Sequence, residues 1–105
     1  MKKENFVMIK EKDEDQGITR FTVMGRVNSQ NSSLLKFKLE DSLSYGEINI
    51  VLNMADVEFL SSDGKRIILS TYKAAEKAGG KFRIEAPSKN VRNALNMVAL
   101  DDMLI

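Results

Sequence analysis

The chain has 105 residues, 43% hydrophobic and 30% charged, with 16 Lys plus Arg against 15 Asp plus Glu and a net charge of +1. That length and balance describe one ordinary globular domain, with no global field drawing it to nucleic acid or membrane. It has no cysteine, histidine or tryptophan, which removes disulfides, thiolate nucleophiles, zinc fingers, iron–sulfur clusters, Ser-His-Asp triads and nearly all catalytic zinc sites.

The apolar runs are short, such as Phe6–Ile9 and Ile67–Leu69, against about 20 residues for a membrane span. Met1-Lys2-Lys3 begins like a signal peptide, but Glu4-Asn5 follow and no apolar core comes after them. A cytoplasmic chain is expected. Residues 6–12 read as a strand, and Asp13-Glu14-Asp15-Gln16-Gly17 as a turn. Residues 18–27 read as a second strand of a hairpin, with Phe21, Val23 and Val27 on one face and Arg20, Thr22 and Arg26 mostly on the other.

Asn28–Ser33 is loop-like, with Ser32 or Ser33 as the expected N-cap. Leu35, Leu39 and Leu43 then recur at i, i+4 and i+8 of a helix that stops at Tyr45-Gly46. Ile48–Leu52 is nearly all apolar and β-branched, as a central strand requires, and Val57, Phe59 and Leu60 continue the buried path. Ser61-Ser62-Asp63-Gly64 opens a helix whose apolar stripe is Ile67, Ile68, Thr71, Ala74, Ala75 and Ala78, stopped by Gly79-Gly80. Phe82, Ile84 and Ala86 alternate as a strand. Ser88 caps a last helix bearing Val91, Ala94, Leu95 and Val98, and residues 103–105 are expected to add a terminal strand. The order is β-β-α-β-α-β-α. This predicts an α/β fold with a mixed four- to five-stranded sheet, helices mainly on one face, and a right-handed parallel crossover from Ile48 to Ala86.

The segment Phe59–Arg66 leaves the central strand for a helix. Ligands of open α/β sheets bind at the carboxyl ends of strands, and a helix N-terminus stabilises an anion, phosphoserine included. Ser61, Ser62 and Asp63 are equally explained as cap residues. Gly64 is costly in a first helical turn, by about 1 kcal/mol against Ala; a backbone or a partner passing close by would explain it. Between Lys65 and Arg92 eight basic residues face two acidic ones, but aromatics are sparse, which fits solvated helix faces better than nucleic-acid binding. The acidic clusters at Glu11–Asp15 and Glu40-Asp41 lack EF-hand spacing, so no metal site and no cofactor is expected. Phe37 lies about 200° from Leu35 on the helical wheel, an exposed aromatic suited to a partner surface.

Three segments carry a family resemblance: Gly25-Arg26-Val27-Asn28, Val51 through Gly64, and Val91 through Asp102. They resemble the landmarks of the STAS domain, shared by sulphate transporters and anti-sigma-factor antagonists, over nearly the whole chain. In stand-alone antagonists the serine before x-Gly at this strand-to-helix turn is phosphorylated, and it maps to Ser62. The chain departs from the family pattern at Ser61, Asp63 and Lys65, and has Asn28 and Asn53 where Asp is common. The resemblance implies a non-enzymatic anti-sigma-factor antagonist, monomeric when free. It would bind an anti-sigma factor that is also an ATP-dependent serine kinase, be switched off by phosphorylation at Ser62 and be reset by a phosphatase. Asn28, Phe37, Ser61, Ser62, Asp63, Gly64 and Lys65 are the partner-binding candidates. The alternatives are a non-phosphorylated STAS scaffold, such as a subunit of a lipid-transport ATPase, and a small-anion or nucleotide-binding module at Ser62–Gly64.

Overall fold

A computed structural model describes residues 6–95 and 103–104. Four strands, β1 (Phe6–Asp13), β2 (Ile18–Val27), β3 (Asn49–Leu60) and β4 (Lys81–Glu85), form one sheet in the order β1-β2-β3-β4. The β1–β2 hairpin is antiparallel; β2–β3 and β3–β4 are parallel. The helices α1 (Ser32–Ser44) and α2 (Ser62–Lys77) supply the two parallel crossovers, and α3 (Lys89–Ala94) follows β4. The predicted mixed α/β order is the observed one. Leu104 adds a single parallel bridge to Ile84 beyond β4, the trace of the expected terminal strand; Ile105 lies outside the described residues, as does Val98. Among the described residues no helix is long and apolar enough to cross a membrane.

The core lies on one face of the sheet. Phe21, Val23, Leu52, Met54, Phe82 and Ile84 from the strands are fully buried with Leu35 and Leu39 of α1, Ile68 and Ala75 of α2, and Val91 of α3. Burying each such large side chain contributes about 1.5–3 kcal/mol. The residues that alternate with these, among them Val7, Ile9, Arg20, Thr22 and Asn53, lie on the face the helices leave uncovered.

Several local expectations are corrected. The N-cap position of α1 is Asn31, with no side-chain cap bond, and Ser32 is its buried first residue. The buried stripe of α2 is Gly64, Ile68, Thr71 and Ala75, at i, i+4, i+7 and i+11; Ala74, at the flank of this stripe, and Ala78, the C-cap beyond the last helical turn, are exposed. Ala86 is exposed in a left-handed turn at φ 50° rather than continuing β4.

The largest correction concerns β3, which is one strand of 12 residues. Asn53 pairs with Thr22 but Asp56 with Met24, and Val57 pairs with Gly25 but Phe59 with Arg26. β3 therefore carries one extra residue at each of two bulges. Inward positions come every third residue there, at Met54, Val57 and Leu60. Phe59, expected in the core, is turned out and 39% exposed. Gly25, at φ 95°, takes a conformation open cheaply only to glycine beside the second bulge.

Beyond Asn53 no β4 residue remains to pair with β3. The start of α3 takes its place. The Ser88 amide donates to the Met54 carbonyl (3.1 Å), the Ser88 hydroxyl to the Val57 carbonyl (2.7 Å) and Asn90 Nδ2 to the Glu58 carbonyl (2.6 Å). The Ser88 hydroxyl also caps α3, as predicted, by accepting from the Val91 amide.

Candidate functional site

The parallel strands β2 and β3 end side by side, and each feeds a helix N-terminus. The Ser61 amide donates to the Val27 carbonyl (2.8 Å), which ties the two strand ends together. Ser61 is extended (φ −73°, ψ 170°), and its hydroxyl accepts from the Gly64 amide at 3.1 Å. Ser61 is thus the cap of α2, worth about 1 kcal/mol. Ser62 is the first helical residue and is exposed. Among the described residues its hydroxyl makes no hydrogen bond. The two adjacent serines divide the work: one oxygen closes the helix, the other is free at its positive end.

Asp63 sits in the same first turn. Its carboxylate accepts from Arg66 Nη1 at 2.8 Å, a partly exposed i,i+3 pair, so its charge is balanced locally. Between α1 and α2 lies a cleft of about 350 Å³ whose walls include Ser33, Lys36, Asp63 and Arg66. Two helix starts converge there, and its two cations are both paired, Arg66 with Asp63 and Lys36 with Glu40 (4.0 Å), so the cleft is polar with no large charge of one sign.

Asn28 lies in the loop beside this end. Its side-chain oxygen accepts from the Gln30 and Asn31 amides (2.9 and 3.0 Å), and its carbonyl accepts from the Ser32 amide. Asn28 therefore builds the turn that launches α1. Asn53 is likewise engaged: Nδ2 donates to Glu85 (2.8 Å) and Oδ1 accepts from the Ala55 amide (3.2 Å). That Asn53 contact, with a lesser one from Arg20, holds the Glu85 carboxyl below its ordinary range.

Lys65 is half-buried on α2. Phe37, 64% exposed, projects from α1 away from the core as the wheel predicts. Gly64 differs from expectation. A Cβ there would lie 2.7 Å from Leu60 Cδ1 and 2.9 Å from Val27 Cγ1. The close approach that excludes a side chain comes from this chain's own core, where α2 settles onto the strand ends.

One exposed feature escaped the sequence. The Arg26 guanidinium stacks 4.8 Å from the Phe59 ring centroid, just before Ser61. Such a pair stabilises by about 0.5–1 kcal/mol at an exposed site and presents a stiffened Arg and an aromatic surface, both favoured in interfaces. Only the bulge beside Gly25 brings the two into register, and nothing in the local residue pattern announces that.

Comparison with known proteins agrees with this geometry. The STAS domain profile matches residues 10–104. The chain is 29% identical over 76 residues to a Thermotoga neapolitana TM1081 homolog named as a candidate anti-sigma factor antagonist, covering 71% of this chain and 67% of that one. It is 22% identical over 91 residues to the anti-sigma F factor antagonist of Paenibacillus polymyxa, covering 86% and 78%. Among solved structures, the anti-sigma factor antagonist SpoIIAA superposes with a TM-score of 0.79 at 17% identity, covering 94% of this chain and 86% of that one. With 95 of its 105 residues inside the profile and the fold in agreement, the chain belongs to the STAS domain family.

Proposed function

We propose that this protein is an anti-sigma-factor antagonist whose docking surface is the end of the sheet where α1 and α2 begin, and that Ser62 is its phosphorylation switch. The observation that carries this reading is the free, exposed Ser62 hydroxyl beside a Ser61 that does the capping. A kinase can take the one without dismantling the helix start held by the other. The relatives' names support the antagonist part of this reading. SpoIIAA in its phosphorylated form matches this backbone as well as the unphosphorylated form does, with TM-scores of 0.78 and 0.79. That favours a switch acting through surface charge rather than through refolding.

The partner in this reading is an anti-sigma factor with ATP-dependent serine kinase activity, opposed by a phosphatase. The antagonist binds it unphosphorylated and so frees a sigma factor. A phosphate on Ser62 adds about two negative charges. Buried against a partner without a counter-ion, such charge costs several kcal/mol, and even about 3 kcal/mol exceeds a hundredfold in affinity. The helix dipole offsets about 0.3–1 kcal/mol of this, in free and bound states alike.

Calorimetry with the cognate anti-sigma factor tests the proposal. Wild type and Ser62→Ala should bind comparably, and protein phosphorylated at Ser62 at least a hundredfold more weakly. Equal affinities for all three would overturn the switch and leave a non-phosphorylated STAS scaffold.

A further inference from the structure

We infer that the uncovered face of the sheet carries a second docking groove, which takes a cationic, aliphatic-bearing segment of a partner polypeptide. The groove, about 640 Å³, lies where the bulged half of β3 meets the start of α3. Val7 and Met24, directly opposed across β1 and β2, give it an apolar floor; Asp56 and Glu58 stand on β3, and Ser88 and Asn90 form the far wall. Ile9, two residues along β1 and 48% exposed, prolongs the apolar strip beyond Val7, itself 43% exposed.

The occupant follows from the charges. Asp56 and Glu58 are exposed, and among the described residues neither forms an ion pair; unlike the acids of the turn at Asp13–Asp15, they stand beside an apolar floor. Among the described residues no cationic side chain lines the groove. An apolar floor under two unbalanced carboxylates complements a chain that alternates aliphatic and basic side chains. Nucleic acid and anionic membrane are repelled by the same two charges. A second copy docked about a two-fold axis would place its own Asp56 and Glu58 against these.

The wall is already fixed. The bonds from Ser88 and Asn90 to the Val57 and Glu58 carbonyls pin α3 to β3, so little ordering is left to oppose binding. The bulges that make the groove also turn Asp56 and Glu58 outward, and bulges of this kind commonly re-aim side chains at functional places. The groove lies on the side of the sheet away from α1 and α2, with only the start of α3 at its edge, so it can fill while the surface around Ser62 is engaged. The inference stands independently of the function proposed above.

The test is an NMR titration of the full 15N-labelled chain with a capped alternating Leu/Lys heptapeptide, beside a Leu/Glu heptapeptide and spermidine. The Leu/Lys peptide should shift the amides of Val7, Met24, Ala55–Glu58 and Ser88–Asn90, and leave the acidic turn at Asp13–Asp15 unmoved. The Leu/Glu peptide, spermidine, and the Leu/Lys peptide on an Asp56→Asn, Glu58→Gln double variant with a folded spectrum should each bind at least tenfold more weakly. Shifts centred on the acidic turn, unchanged affinity in the double variant, or spermidine binding as tightly as the peptide would overturn the assignment. So would a self-association, seen by sedimentation, that buries the same residues.

Discussion

The two halves of β3 obey different rules. From Ile50 to Asn53 the strand is paired on both sides, to β2 and β4, and its register advances one residue at a time. From Met54 to Leu60 two bulges interrupt the β2 ladder, and α3 replaces β4 on the other side. The regular half anchors the core. The irregular half exposes what can be recognised: Asp56, Glu58, the Phe59–Arg26 stack and, one turn later, Ser62. A ladder holds its side chains to two faces; a bulge releases one residue from that constraint and re-aims it.

Truncations along the strand should break this comparison most sharply if it is wrong. Leu52 in the regular half is fully buried, and Leu52→Ala should cost about 2.7–5.0 kcal/mol through lost contacts and a cavity. Phe59→Ala in the irregular half removes a larger side chain that is 39% exposed, and should cost about 1 kcal/mol, mostly the stack on Arg26. Urea denaturation of the two variants measures both. Equal losses would show that the bulged half is core like the rest.

The second prediction concerns the junction of the irregular half with α2. Gly64→Val places a branched side chain against Leu60 and Val27. Overpacking of this kind costs about 1–3 kcal/mol, more than the helix gains by losing a glycine. The Leu60 methyl can rotate away; Val27, stiff at χ1 and fully buried, cannot. The variant should unfold at lower urea while Ser62→Ala does not. An unchanged midpoint would mean that α2 can lift off the strand ends freely.

Legibility in the sequence followed the same division. Regular segments declare themselves by period: β2 by alternation, α1 by Leu35 and Leu39, and the first half of β3 by its β-branched run. Ser61–Gly64 could be placed at a helix start because cap chemistry is local. The second half of β3 has a period near three, which belongs to neither template, so the sequence reads Phe59 as inward and hides its stack with Arg26. The close approach at Gly64 was legible as a fact, but its source was not: Leu60 is a neighbour in sequence, whereas Val27 meets Gly64 only through the crossover. Asn28 is readable as a polar loop position, and Asn53 only as a departure from the family pattern; that both are consumed by internal hydrogen bonds requires the fold.

The third prediction tests the replacement of β4 by α3. Ser88→Ala removes the hydroxyl that both donates to the Val57 carbonyl and accepts from the Val91 amide. Losing a cap and leaving a strand carbonyl short of a partner should cost about 1–2 kcal/mol. Hydrogen exchange locates the effect: amides of Val57 through Phe59 and of α3 should lose protection, and those of Ile50 through Asn53 should keep it. A uniform loss across both halves would mean that the strand opens as a single unit.

The smallest expected effect is a titration, and it belongs to the regular half. Glu47, in the turn that leads into β3, takes Lys10 Nζ at 2.7 Å and Lys12 Nζ at 2.9 Å and accepts from the Ser42 hydroxyl at 3.0 Å. These contacts, first those from Lys10 and Lys12, hold its carboxyl at about 2 against an ordinary 4.5. A carboxyl whose folded value lies below its unfolded value stabilises the fold fully above the unfolded value, and this contribution disappears as pH falls from about 4.5 toward 2. Both lysines are more than a third exposed, so solvent screening reduces the stabilisation to about 1 kcal/mol. The Glu85 carboxyl, lowered by Asn53 and Arg20, adds to the same acid-side slope. In Glu47→Gln, stability should fall less steeply between pH 4.5 and 2 than in wild type, and 1 M salt should narrow the difference between them at neutral pH. Parallel pH profiles for the two proteins would show that Glu47 does not clamp the hairpin to the start of β3, and that pairing to β2 and β4 alone keeps that half of the strand in register.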